Sequence, residues 1–197
     1  MNPAAETVLH RKLSTSQLKK RQQIIRAGIE LARESGYDGF TTRDVAQRAD
    51  SALGTVYNYF TSKDHLLAEG LLEWLGEFDD ELSLRPVRGR TVAARLVQLY
   101  ERMATRASRE PELYEALRRA MISSDGSVAA ARRVHIEVTR RWFESAIGAG
   151  EVDDAPALIE ILESLFVGAF LMSPASGDPK PLIKRLERSV RFLFAQA

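Results

Sequence analysis

The 197-residue chain contains no cysteine. Disulfides, thiolate metal sites and cysteine nucleophiles are therefore excluded, and the composition suits the reducing cytoplasm expected as its location. Histidine is scarce: His10, His65 and His135 are the only three. No His-Glu-x-x-His pair, phosphate-cradling glycine loop or Gly-x-Ser-x-Gly elbow occurs. Neither catalysis, a cofactor nor a bound metal is expected. Asp79, Asp80 and Glu81 are adjacent carboxylates and read as a solvated face. Long apolar runs are missing too. The longest, Leu165 to Met172, falls far short of the roughly 20 residues that a membrane helix needs. The amino end is polar where a secretory signal needs an apolar centre. Period-2 alternation, the mark of a half-buried strand, is absent throughout.

Charge is present in balance, at 28 basic and 27 acidic residues, but it is unevenly placed. The segment through Leu66 carries ten basic against seven acidic residues, so the positive excess is front-loaded. That bias is one footprint of a nucleic-acid binder, although a solvated tail would produce it as well. Residues 1–15 lack periodicity and read as a disordered basic arm. From Ser16 the apolar spacing is helical to Ser35, with Gly36 placed as the C-terminal cap. Thr41 and Asp44 form a capping box for a short helix ending at Ala49. Asp50-Ser51 makes a break before a second short helix, Leu53 to Phe60. Thr61 and Asp64 repeat the capping signature ahead of a long helix through Ser83. Helical segments then recur at 91–109, from 111 to near 123, and at 128–148, 156–172 and 181–194, so the fold class is all-α with about nine helices.

The segment Thr41 to Leu66 carries the strongest signal. Two short helices joined by a tight turn make a helix-turn-helix, whose second helix is suited to the DNA major groove. That helix begins small and polar (Ser51, Ala52, Gly54, Thr55), which lets its backbone come close to DNA. Tyr57, Asn58 and Tyr59 then offer polar tips to phosphates or base edges. Val56 and Phe60 lie four apart and belong to the core. Lys63 opens the next helix, where its charge and the amide dipoles both suit a phosphate.

The run Gly54-Thr55-Val56-Tyr57-Asn58-Tyr59-Phe60-Thr61-Ser62-Lys63, with Thr41-Thr42 ahead of it, resembles the TetR family of bacterial one-component repressors. The resemblance covers Gln17 to Leu66. It implies that Thr42 and Arg43 touch phosphate and a base. It implies that Leu53, Gly54 and Thr55 face base edges, and that Tyr57, Tyr59 and Lys63 clamp phosphates, with Asn58 beside them. Two departures stand out. The turn carries Asp50-Ser51 where the family usually has glycine then valine, and Ala52 stands where many members have a capping serine. Aspartate tolerates the left-handed backbone, so the turn is expected to survive. Loss of the cap costs roughly 1 kcal/mol unless Ser51 substitutes for it.

Residues 16–66 are thus read as the DNA-binding domain and 67–197 as a ligand-binding and dimerisation domain. The resemblance implies that the last two helices form the homodimer seam, through Leu162, Phe166, Phe170, Leu182, Leu186, Val190 and Phe194. A two-fold dimer also fits paired half-sites about 34–36 Å apart on a palindromic duplex. Leu71, Trp74, Phe78, Met103, Leu117, Met121, Trp142, Phe166 and Phe170 read either as the wall of a pocket for a hydrophobic effector or as ordinary core. Arg118-Arg119 and Arg132-Arg133 read as anchors for an acidic head group or as solvated faces. The Arg109–Leu113 segment, the Glu115-Ala116-Leu117 run and the Ser124–Ala129 turn look like the regulators of steroid catabolism within the family, which sense bulky acyl-coenzyme A intermediates. The leading expectation is a repressor released from its operator by an apolar effector. An activator and an effector-independent architectural DNA binder are the alternatives.

Overall fold

The computed structural model of the chain describes residues 13–172 and 178–195. The basic arm expected at 1–15 lies outside the described residues up to residue 12. All regular structure among the described residues is helical, as the periodicity predicts. The helices are α1 (Thr15–Ser35), α2 (Thr42–Arg48), α3 (Leu53–Tyr59), α4 (Lys63–Leu84), α5 (Val92–Arg109), α6 (Pro111–Met121), α7 (Ala129–Ile147), α8 (Ala155–Met172) and α9 (Lys180–Ala195). A 3-10 turn at Gly126–Val128 leads into α7.

The chain divides into two compact units. One holds residues up to Glu77 together with Glu110–His135; the other holds Phe78–Arg109 and Ile136 onward. The packing boundary between these units falls inside α4 and α7. Local signals do not reveal why; the tertiary contacts do. In the first unit, Gly70 lets α4 pass close to α1 and α6: a Cβ there would lie 3.2 Å from Ile29 and 3.5 Å from Leu117. The Arg21–Glu69 ion pair closes at 2.6 Å with both side chains largely buried. Arg33 donates to Glu110 at 3.0 Å, and the indole of Trp74 donates to the same carboxylate at 3.2 Å. Arg119 pairs with Asp38 at 2.6 Å.

The second unit is built on aromatic contact. Phe78 meets Trp142 edge-on at 5.1 Å, and the Trp142 indole donates to Asp79 at 2.6 Å. Phe166 packs against Tyr100, Phe143 and Phe170 with ring centroids 6.1, 5.9 and 4.4 Å away. The Tyr100 hydroxyl reaches the Leu162 carbonyl at 3.2 Å, so its polar tip is satisfied inside this core.

Helix starts follow the capping chemistry, with one correction. Thr41 and Asp44 cap α2 reciprocally, as expected. Gly36 ends α1 at a φ of 68°, a backbone conformation that favours glycine. At α4, however, the cap is not the Thr61–Asp64 pair. Ser62 accepts from the His65 amide at 2.9 Å and donates to Asp125 at 2.5 Å. Asp64 instead accepts from the Tyr37 and Ser123 hydroxyls, each at 2.5 Å. Two overlapping signatures compete here, and the partners on the Ser123–Ser127 segment decide between them.

Loss of the Ser62 hydroxyl removes a cap and orphans one acceptor of Asp125. Ser62→Ala should lower stability by about 1–2 kcal/mol and the thermal midpoint by about 2–8 °C. Thr61→Ala should change the midpoint by less, and an equal loss for the two variants by circular-dichroism melting would restore Thr61 as the cap.

Candidate nucleic-acid interface

The turn between α2 and α3 is built by backbone bonds. The Ala49 amide donates to the Val45 carbonyl at 2.9 Å and the Ser51 amide to the Ala46 carbonyl at 2.9 Å. Asp50 sits at φ 43°, in the left-handed region that aspartate tolerates. Lys20 of α1 secures the turn, its ammonium donating to the carbonyls of Ala49 at 3.0 Å and Asp50 at 2.9 Å. This cation satisfies carbonyls left over at the end of α2 and complements the helix dipole there. Nothing local to the turn marks Lys20; only its presence in a basic run of α1 hints at a role.

Helix α3 starts at Ala52 without a side-chain cap. Ser51 does not substitute: its hydroxyl is buried and makes no hydrogen bond. The inner face of α3 is fixed by Val56 and Phe60, both fully buried. Phe60 also lies under the Arg21 guanidinium at 5.1 Å and meets the His65 ring edge-on at 5.5 Å.

The outer face carries most of the residues expected to meet DNA. Arg43, Gly54, Tyr57 and Asn58 are exposed, with Tyr57 at 50%. Thr42, Leu53, Thr55 and Tyr59 are half-buried beside them. A Cβ added at Gly54 would meet nothing within 4 Å. No internal packing therefore requires glycine there, although it costs a helix about 1 kcal/mol relative to alanine.

Lys63 departs from its expected role. Its ammonium turns inward, donating to the Phe40 carbonyl at 2.8 Å and to the Tyr37 carbonyl. It also lies over the rings of Tyr37 and Phe40 at 4.4 and 4.5 Å. Burial holds its pKa below the ordinary lysine value. Lys63 ties the α1–α2 loop to α4 rather than presenting a free charge. The sequence pattern places it in the first turn, but it does not show which carbonyls lie within reach of a long side chain.

The residues assigned to an effector pocket are all buried, but they divide between the two units. Leu71, Trp74, Leu117 and Met121 belong to the first; Phe78, Met103, Trp142, Phe166 and Phe170 belong to the second. Of the residues assigned to the dimer seam, Leu162, Phe166, Phe170, Leu186 and Val190 are at most 5% exposed within the chain. Leu182 and Phe194 are half-buried. An α8 that is apolar nearly all round does not reveal by spacing which side faces its own core. Among the described residues, the large apolar side chains exposed on these helices are Ile161, Val167 and Phe192. Of the arginine pairs, Arg118 is bound to Glu115, Arg119 to Asp38, and Arg132 to the carbonyls of Ser123 and Asp125.

A helix-turn-helix with an open outer face, in a chain that continues into a second helical unit, defines a DNA-binding regulator. The family described as "Bacterial regulatory proteins, tetR family" matches residues 24–69, and the "Tetracyclin repressor-like, C-terminal domain" matches 89–193. The chain belongs to the TetR family, whose members are transcriptional regulators and not enzymes. It is 31% identical over 185 residues to the HTH-type transcriptional repressor KstR of Mycobacterium tuberculosis, covering 92% of this chain and 83% of that protein. Rhodococcus jostii KstR is 31% identical over 185 residues, covering 92% and 85%. Among solved structures, a TetR transcriptional regulator from Rhodococcus sp. RHA1 superposes with a TM-score of 0.76 at 22% identity, covering 90% of this chain and 96% of that one. FadR of Bacillus subtilis, solved in complex with stearoyl-CoA, gives 0.62 at 18% identity over 86% and 96%.

The outward-facing and inward-facing residues are separable by mutation. Tyr57→Ala should weaken duplex binding about tenfold with helicity and melting unchanged, as loss of one or two contacts implies. Lys63→Ala should instead lower the thermal midpoint. A Lys63→Ala protein that melts like wild type but binds duplex poorly, by anisotropy, would return Lys63 to the phosphate-clamp role.

Proposed function

We propose that the protein is a homodimeric, ligand-responsive repressor, acting in the cytoplasm, that occupies a palindromic operator and leaves it when a hydrophobic effector binds. The observation that carries this reading is the outer face of α3. Gly54 is unrequired by any internal contact, and it shares that face with exposed Tyr57 and Asn58 and with Arg43 of α2. In this reading Thr42, Arg43, Tyr57 and Tyr59 bind phosphates, while Leu53, Gly54, Thr55 and Asn58 lie against base edges. The repressor role is supported by the KstR relatives.

An apolar effector is taken up in the aromatic cluster of the second unit, among Phe78, Met103, Trp142, Phe166 and Phe170. Such a cluster adapts by rotating rings and a methionine. Likeness to a FadR solved with stearoyl-CoA, together with the resemblance of the Arg109–Leu113 and Ser124–Ala129 segments to the steroid-catabolism regulators, favours a bulky acyl-coenzyme A as effector. Release is a population shift, so the effector must bind the non-DNA-binding state more tightly. The dimer seam is the exposed side of α8 and α9, where Ile161, Val167 and Phe192 leave apolar surface open.

Two experiments test this reading. Selection from random duplex DNA should recover an inverted repeat, and stearoyl-coenzyme A or a sterol-side-chain acyl-coenzyme A should release it. Recovery of no preferred sequence would remove the repressor reading; an inverted repeat indifferent to both thioesters would remove the effector class. Separately, Phe192→Asp should convert dimer to helical monomer in sedimentation, whereas Leu186→Asp should unfold the second unit. A Phe192→Asp dimer would place the seam elsewhere.

A further inference from the structure

An open cavity of about 460 Å3 lies where α4 ends, walled by Leu84, Arg85, Pro86 and Arg88 and by Gln98 and Arg102 of α5. It contains none of the residues assigned above to DNA, effector or dimer seam. Its charges are not equivalent. Glu81, which also borders it, is paired with Arg102 at 3.1 Å and with Arg106 at 3.8 Å. Arg102 is further committed to the Glu81 carbonyl at 3.3 Å and to the Arg85 carbonyl. These bonds fix the end of α4 and neutralise the one carboxylate on the rim. Gln98 accepts from the Arg88 amide at 2.6 Å, which shapes the turn and leaves the Gln98 side-chain NH2 as a donor. The guanidinium groups of Arg85 and Arg88 have no ion pair or hydrogen bond among the described residues, and both side chains are exposed. Leu84 stands beside them at 84% exposure.

We propose that this cavity binds the phosphate end of a phosphorylated organic molecule. Arg85 and Arg88 clamp the phosphate, the Gln98 NH2 adds a third donor, and the carbon skeleton lies on Leu84 and Pro86. Two guanidinium groups three residues apart on one turn repel each other when empty. A dianion relieves both at once, and its oxygens match the planar guanidinium fork. A monoanionic carboxylate satisfies one. A lone exposed leucine is ordinary on any surface, but next to two uncommitted arginines in a concavity it gives an amphiphilic ligand both of its contacts. A concavity of about 460 Å3 also has the size of a small-molecule site, not of a duplex footprint.

Titration calorimetry on the full chain decides the matter, with n-hexyl phosphate and inorganic pyrophosphate as ligands and n-hexanoate as the control. Hexyl phosphate and pyrophosphate should bind once per chain, hexyl phosphate more tightly than hexanoate. Arg85→Gln/Arg88→Gln should weaken both phosphates at least about tenfold while keeping wild-type helicity and melting, since both side chains are exposed and unpaired. Absence of heat with either phosphate overturns the site. So does equal binding by the double variant, or hexanoate binding as tightly as hexyl phosphate. A variant that loses only non-specific duplex binding would assign the arginines to nucleic acid instead. The outcome does not depend on whether an operator or an acyl-coenzyme A effector is found.

Discussion

The first turn of α4 anchors the reading head to its own unit. Ser62 at its cap and the first two residues, Lys63 and Asp64, commit to four partners: Ser62 to Asp125, Lys63 to the carbonyls of Tyr37 and Phe40, and Asp64 to the hydroxyls of Tyr37 and Ser123. The Tyr37 ring has both Lys63 and Arg119 against it, at 4.4 and 4.0 Å. Hydrogen bonds from Ser62 and Ser127 hold the Asp125 carboxyl at about 2, so it stays charged across the neutral range. Burial and the Asp64 carboxylate push the Tyr37 phenol up to about 12, so it stays a donor. The Asp125 acceptor and the Tyr37 donor therefore keep their roles at any physiological pH.

The mechanical consequence concerns α3. Three residues, Phe60 to Ser62, separate its last residue from α4, and Phe60 is locked in the core. The Ser123–Ser127 segment holds Ser62 and Asp64 through short charge-assisted bonds, each worth more than a neutral one. That segment and the start of α4 move together or the bonds break. A displacement of α6 or of the start of α7 thus has a direct route to the recognition helix, made of discrete bonds rather than diffuse packing.

Much of this arrangement was legible in the sequence because it is local. Thr41 with Asp44, Gly36 as a cap, Asp50 in a left-handed turn, and Val56 with Phe60 inward are all decided within a few residues. The misread features depend on partners far along the chain. The α4 cap shifts from Thr61 to Ser62 because Asp125, 63 positions away, takes the Ser62 hydroxyl and Ser123 takes Asp64. Lys63 turns inward because the α1–α2 loop offers two carbonyls and two rings. On α8 and α9, apolar spacing alone does not separate a core face from an interface, because it fits both. Arg85 and Arg88 went unremarked because adjacent basic residues on a turn look solvated until the neighbouring acid is seen to be taken.

The recognition helix carries costs that folding alone does not explain. An N-terminus without a side-chain cap costs about 1 kcal/mol, and an exposed helical glycine about as much again. A buried hydroxyl without a partner adds about 1–3 kcal/mol. Against these stand Val56 and Phe60, each contributing about 1.5–3 kcal/mol by burial, and the Lys20 bonds to the preceding turn. The inner face thus roughly offsets the defects of the start and leaves a seven-residue helix little margin of its own. Nothing in the structure explains Ser51 or Ala52. Gly54 is different, because alanine would fit with nothing in its way and would favour the helix. A residue that weakens its own helix while filling no internal need belongs to something outside the protomer that must approach the backbone closely. A major-groove edge makes that demand of a recognition helix.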